Sequence, residues 1–174
     1  MLDSDEHARR LKRLLRISRV NGWTVVVIAG LFGLLSLLTL DVAGFLVGAG
    51  VTGAGAMEIV GHRRLENGQS GARGFMVGSQ GWLIFCVLIY CTWRLFIFDV
   101  DDPLAILGDS ELLRSVATSG GLPMSVLEGM VTLVYQLMYR LVAALTLIFQ
   151  GGLGLYYWLR VGALVEETAT APAP

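Results

Sequence analysis

Residues 23–60 read WTVVVIAGLFGLLSLLTLDVAGFLVGAGVTGAGAMEIV, 38 positions with two charges, Asp41 and Glu58. A membrane-spanning helix needs about 20 mostly apolar residues to cross about 30 Å of hydrocarbon. One helix over this run would be about 57 Å long, nearly twice that thickness. The run therefore divides. Asp41, set between Leu40 and Val42, marks the turn, with span one over 23–40 and span two over 42–60. A connection this short makes the pair an antiparallel hairpin.

The rest of the chain is of the same kind. Of 174 residues 55% are hydrophobic, 22 more are glycine, and 16% are charged. A soluble domain carries about 25% charged residues, which it needs to cover the surface that folding leaves exposed. These figures exclude a soluble globular enzyme and a disordered chain, and they describe a small polytopic membrane protein. A formal net charge of -1 argues against a nucleic-acid partner. Cys86 and Cys91 stand five apart, about 140° around a helix, and cannot bridge each other. The histidines are His7 and His62, and there is no C-x-x-C pair. No metal and no cofactor is expected from that set.

A polar stretch, HRRLENGQSGARG over 62–74, precedes a third span over 75–98, which carries Arg94 near its far end. Residues 99–129 read as a short helical outer segment, with Asp102-Pro103 as a helix start and Gly120-Gly121 as a stop. The last apolar run, 124–165, is too long for one crossing. Tyr156, Tyr157 and Trp158 before Arg160 look like one interface belt, and Tyr135 and Tyr139 like the other. Span four is therefore placed over 139–159 with a helical extension in front. The competing frame is a crossing over about 130–149 with an interfacial helix behind it. The end of the chain, EETATAPAP over 166–174, is expected to be a disordered tail.

The basic residues check the count of four. Arg9, Arg10, Lys12, Arg13, Arg16 and Arg19 lead the chain, Arg63, Arg64 and Arg73 lie between spans two and three, and Arg160 follows span four. Four spans put these ten of the 13 on one side. The 99–129 segment has Arg114 against six acids, Asp99, Asp101, Asp102, Asp109, Glu111 and Glu128. That is the positive-inside pattern, with both termini cytoplasmic, as in a bacterial inner membrane. The first 20 residues read as a basic amphipathic helix. Asp3 and Glu6 have capping-box spacing, and Leu11, Leu14, Leu15 and Ile17 interleave with the six basic residues. Such charges orient the chain. They also attract anionic lipid head groups, at about 1 kcal/mol per basic residue near the surface. No small-x-small cleavage site follows the apolar core cleanly, so the segment is not read as a cleaved signal.

Two groups of residues stand out within the spans. Gly44, Gly48, Thr52 and Ala56 repeat every four positions, Ala49 and Gly53 make a second small face, and Gly50 and Ala54 a third. Small residues let helix backbones approach closely in lipid. Span one offers Ala29, Gly33 and Ser36 to match, so packing within the chain is expected, with homo-oligomerisation or a substrate passage beside the glycine helix as the alternative. The partners expected beyond the lipid bilayer are a second copy or another membrane protein. The second group holds the candidate polar-site residues: Glu58, His62, Arg94, Arg140 and Gln150. Glu58 and His62 are four apart on one helix face, which favours local pairing. Against it stands a proton-coupled transport role for an intramembrane carboxyl. Arg94 beside Trp93 and Arg140 beside Tyr139 are expected to snorkel toward the outer aspartates, with an anion vestibule as the sharper alternative. Asp99-x-Asp101-Asp102 lacks the glycine and distal glutamate of a calcium loop. Gln80 is a further inward candidate, and Gly151, Gly152 and Gly154 are places where span four could kink.

The expected fold is thus an all-α four-helix transmembrane bundle over 21–165. No nucleophile–base pair is recognisable, so the expected function is a non-catalytic structural or accessory membrane component. The alternative is a small oligomeric transporter or channel that uses the glycine-rich second span. The orientation is testable with fused reporters. A reporter at the C-terminus should be active only in a cytoplasmic assay, and one inserted near Asp109 only in an exported one. Termini on opposite faces would remove the four-span topology.

Overall fold

Four long helices carry the chain. In the computed structural model, which describes residues 2–96, 115, 118–120 and 123–170, they are α1 (Leu2–Leu38), α2 (Val42–Glu66), α3 (Ala72–Phe96) and α4 (Met124–Thr170). Each is long and apolar enough to cross a membrane, and no strand occurs among the described residues. The Asp99, Asp101 and Asp102 cluster and the Asp102-Pro103 helix start lie outside the described residues, as does most of the outer segment.

The turn at Asp41 forms where the charge pattern puts it. Leu40 takes a left-handed φ of 58°. Asp41 N–H donates to Ser36 O at 2.8 Å and Leu40 N–H to Leu37 O at 3.2 Å, which closes α1 by the paired bonds of a Schellman motif. Asp41 then caps α2, its Oδ1 accepting from Gly44 N–H at 3.0 Å. One short residue run ends a helix and starts the next.

The helix bounds differ from the sequence expectation: α2 runs on to Glu66 beyond a span placed over 42–60, and α3 is Ala72–Phe96 against 75–98. Span one ends at Leu38, not Leu40, and it is not separate from the basic segment: α1 is continuous from Leu2. The apolar side of that segment is not free for lipid, because Leu14 is 1% exposed and packs with Met76, Tyr157 and Val161, flanked by Leu11. All six basic residues, Arg9 to Arg19, remain exposed. Ile17 of the same stripe is exposed, so protein covers the Leu14 side of the segment and not the whole stripe. At the other end α4 runs 47 residues without a break, about 70 Å. It passes through Gly151, Gly152 and Gly154 and reaches Thr170, so residues 166–170 are helical where a disordered tail was expected.

The chain divides into two compact units, Met1–Val87 with Thr146–Pro174, and Leu88–Leu145. In the first, α1 and α2 pack through glycines. A Cβ added to Gly48 would lie 2.6 Å from Gly33 Cα and 2.8 Å from Gly33 N. At Gly55 it would meet Val26 Cγ2 at 2.8 Å and Gly22 O at 2.9 Å. Gly44 abuts Ser36 and Asp41, and Thr52 lies opposite Gly30. Gly53 and Ala56 do not belong to this face: nothing lies within 4 Å of a Cβ at Gly53, and Ala56 is exposed. Gly53 stands about 180° around the helix from Gly44, and for Ala56 the reason is helical drift. Twelve residues from Gly44 to Ala56 turn about 120° past whole turns, whereas the eleven to Gly55 turn only about 20° past. In the second unit, Tyr139 packs edge-on to Tyr90 at 6.0 Å and beside Tyr135 at 4.7 Å between ring centroids.

Gly48→Leu should lower the stability of the detergent-solubilised protein by about 3 kcal/mol or more, because its neighbours are backbone atoms that cannot rotate away. Gly53→Leu, at an open position, and Leu46→Ala, at a side chain 63% exposed, should each stay within about 0.5 kcal/mol. Thermal melts of the three variants read this out, and equal melts for Gly48→Leu and Gly53→Leu would contradict the packing face.

Candidate functional site: a buried carboxyl joined to three helices

Glu58 lies on α2, one turn beyond Gly55, and is 1% exposed. A carboxyl withdrawn from water is costly unless its oxygens are hydrogen-bonded. Here both are. Asn21 Nδ2 of α1 donates to Oε2 at 2.6 Å, and Gln80 Nε2 of α3 donates to the same oxygen at 2.9 Å. Tyr157 OH of α4 donates to Oε1 at 2.5 Å. The carboxyl is thus shared by one donor from each of the other three helices. None of those donors is charged.

Each of these contacts has a glycine within a turn of it. Gly55 and Gly22 bring α1 onto α2 next to Asn21. Gly61 brings α3 onto α2, where a Cβ would lie 2.7 Å from Met76 Cγ and 3.1 Å from Met76 N. Gly154 sits against Gln80, with a built Cβ 3.4 Å from Gln80 Cβ, and Tyr157 follows it by three residues on the same face. Without such close approach the short asparagine and glutamine side chains could not span the gap between helices.

The surrounding shell is also buried and polar. Ser79, 1% exposed, donates from its hydroxyl to Met76 O at 2.8 Å. Gln80 Nε2 has a second contact to Ser79 Oγ at 3.2 Å. Ser18, fully buried, faces the Tyr157 hydroxyl, but its Oγ makes no hydrogen bond of normal geometry, and neither does Gln80 Oε1. Both carboxyl oxygens are thus hydrogen-bonded, and the junction is incomplete at its edge.

The expected partnership of Glu58 with His62 does not form. His62 is 6% exposed, and the carboxylate within 4 Å of its ring is Glu66, at 3.8 Å from Nε2. Arg94 and Arg140 fall in the other compact unit. There Arg94 Nε donates to Tyr90 OH at 3.2 Å, and its guanidinium lies 5.5 Å from the centre of that ring; Arg140 is exposed. Gln150 belongs to the first unit and has a buried, unpartnered Oε1. Asn21 and Tyr157 were missed as site residues, and Gln80 was noted only as inward-facing. Their one visible signal was a polar group flanked by glycine-rich apolar sequence. Among the described residues no three of His, Cys, Asp and Glu come together as a metal set would. No protein-family model, curated protein or solved structure matches the chain.

The bonds to Glu58 make a graded prediction. Glu58→Ala leaves two buried donors and one half-buried donor without an acceptor, at about 1–3 kcal/mol for each buried one, and should lower stability in detergent by at least about 3 kcal/mol. Glu58→Gln keeps one acceptor oxygen and should cost less. Tyr157→Phe, which removes one bond, should cost about 1–2 kcal/mol. Glu66→Gln, at a side chain 54% exposed, should be neutral. Melts that rank Glu66→Gln beside Glu58→Ala would show that the junction does not hold the helices.

Proposed function

We propose that the protein is a non-catalytic structural or accessory component of a membrane, a four-helix bundle whose basic end faces the cytoplasm of a bacterial cell. The observation that carries this reading is the enclosure of Glu58 by one donor from each of the other three helices. Its two oxygens take three neutral donors, and Gln80 and Tyr157, at 2% and 0% exposed, close around it. A carboxyl that carries a proton or a solute exchanges its partners during each cycle and meets water on one side or the other. One enclosed by a donor from each neighbouring helix supports a fixed arrangement of helices instead.

A second reading, a small transporter or channel, draws on the incomplete edge of the same junction. Ser18 Oγ and Gln80 Oε1 are buried polar atoms without partners, and an intramembrane carboxyl beside them is the natural start of a proton relay. One preparation separates the two. The protein in mild detergent is expected to be a monomer by light scattering, and its proteoliposomes should pass protons no faster than the same vesicles made with Glu58→Gln. A small symmetric oligomer with a proton flux lost in Glu58→Gln would overturn the accessory reading in favour of transport.

A further inference from the structure

Between α1 and α2, at the end that carries the basic residues, lies a cavity of about 100 Å³ lined by Arg19, Trp23, Ile59, His62, Arg63 and Glu66. A single water needs about 10–15 Å³, so a polyatomic group fits. Spacing explains how the sequence builds it. Arg19 and Trp23 are one turn apart on α1, and Ile59, His62, Arg63 and Glu66 follow a single stripe of α2.

The lining is chemically specific. Two guanidiniums offer planar forks of N–H donors, which match phosphate geometry better than an ammonium does. Between them stands an imidazole with both ring nitrogens buried and without a hydrogen-bond partner, in a residue only 6% exposed. An unmet buried donor costs about 1–3 kcal/mol, and an oxyanion in the cavity removes that cost. Glu66 opposes an anion. It stands at the rim, 54% exposed, and two arginines outweigh it.

Position points to the source of the anion. Trp23 is 54% exposed, and Val27 and Leu34, exposed at 51% and 59%, lie within about 40° of its line along α1 into the apolar part of the span. An amphipathic indole at the head of an apolar lane is the arrangement found at a membrane–water interface. A phosphate held at Arg19 and Arg63 would leave acyl chains lying on that lane. Basic pockets between membrane helices on the cytoplasmic side recognise head groups in this way. We infer that the cavity between α1 and α2 binds the phosphate of an anionic phospholipid through Arg19, His62 and Arg63. The inference rests on the membrane placement of the helices and not on the role of Glu58.

The test uses the full chain in detergent, with phosphatidylglycerol, phosphatidylcholine and inorganic phosphate as separate probes, read by native mass spectrometry. Wild type should hold one phosphatidylglycerol in preference to phosphatidylcholine. The double variant Arg19→Gln/Arg63→Gln should weaken that adduct about 10- to 30-fold, and His62→Phe should weaken it several-fold. Lys12→Gln/Arg16→Gln removes the same charge from α1 outside the cavity and should leave the adduct within about twofold. Equal loss in the two double variants would mean diffuse attraction to a basic surface and would overturn the site. So would equal binding of the two lipids. Displacement of phosphatidylglycerol by inorganic phosphate at equal concentration would overturn the lipid assignment. A proton flux dependent on Glu58 would leave this result untouched, so the two readings fail separately.

Discussion

The structure turns on the requirement that a carboxyl inside a helical membrane protein find hydrogen-bond donors in every direction it faces. Glu58 cannot obtain them from its own helix, whose N–H groups are committed to the backbone ladder. They come from Asn21, Gln80 and Tyr157, on three other helices. This requirement fixes helix separation as well as polarity. Asn21 reaches Glu58 only because Gly22 and Gly55 let two backbones come close, and Gln80 does so beside the contact of Gly61 with Met76. Glycine packing and the polar junction are thus one device: the first sets the distance that the second needs.

Seen from outside, the helices reverse the arrangement of a soluble domain. Leu34, Leu38, Ile148 and Phe149 are among the more exposed side chains, and Glu58, Gln80, Ser79 and Ser18 are among the least. In water so much exposed apolar surface would be unfavourable. In hydrocarbon it costs nothing, and polar groups become the costly ones to expose. The same change of solvent removes the hydrophobic drive for helices to associate. What remains is close packing and interhelical hydrogen bonds, at about 0.6 kcal/mol each on average and about 1.7 at most. Three bonds on one carboxyl therefore supply a few kcal/mol in a setting where each apolar contact could be exchanged for a lipid tail.

Local chemistry was legible in the sequence, and long-range pairing was not. Asp41 announced its turn because an N-cap is encoded within three residues, as its bond to Gly44 N–H shows. Gly44 and Gly48 declared a packing face for the same reason. Extending that face to Ala56 failed because a four-residue repeat drifts about 40° per step from the helix axis line, and Gly55, off the repeat, holds the position instead. The second small face, with Gly53, meets nothing within 4 Å at that glycine. Glu58 was visible as an isolated charge in an apolar run. Its partners were not, since they lie 37, 22 and 99 residues away, and the nearest helical candidate, His62, was the only one a one-dimensional pattern could offer. Leu14 was legible as part of an amphipathic stripe, but such a stripe shows that a partner exists without showing which, and here Met76, Tyr157 and Val161 take that place.

The length of α4 explains why a polar junction is useful beyond its energy. Over residues 146–162, within the part of α4 that belongs to the first compact unit, most side chains are apolar, so many rotations and translations against α2 would bury similar area. Leucine contacts distinguish these states poorly, because one apolar face resembles another. A hydrogen bond does distinguish them: moving α4 by one residue turns Tyr157 about 100° away from Glu58 and carries it about 1.5 Å along the axis. The shift would leave a carboxyl oxygen and a phenol unpaired in a medium that cannot solvate either. Gly154 lies against Gln80 in the same register, with a built Cβ at ordinary contact distance, 3.4 Å, from Gln80 Cβ. The arrangement is thus selected by what its alternatives would leave unmet. That is how a helix with little sequence contrast can still be held in one place.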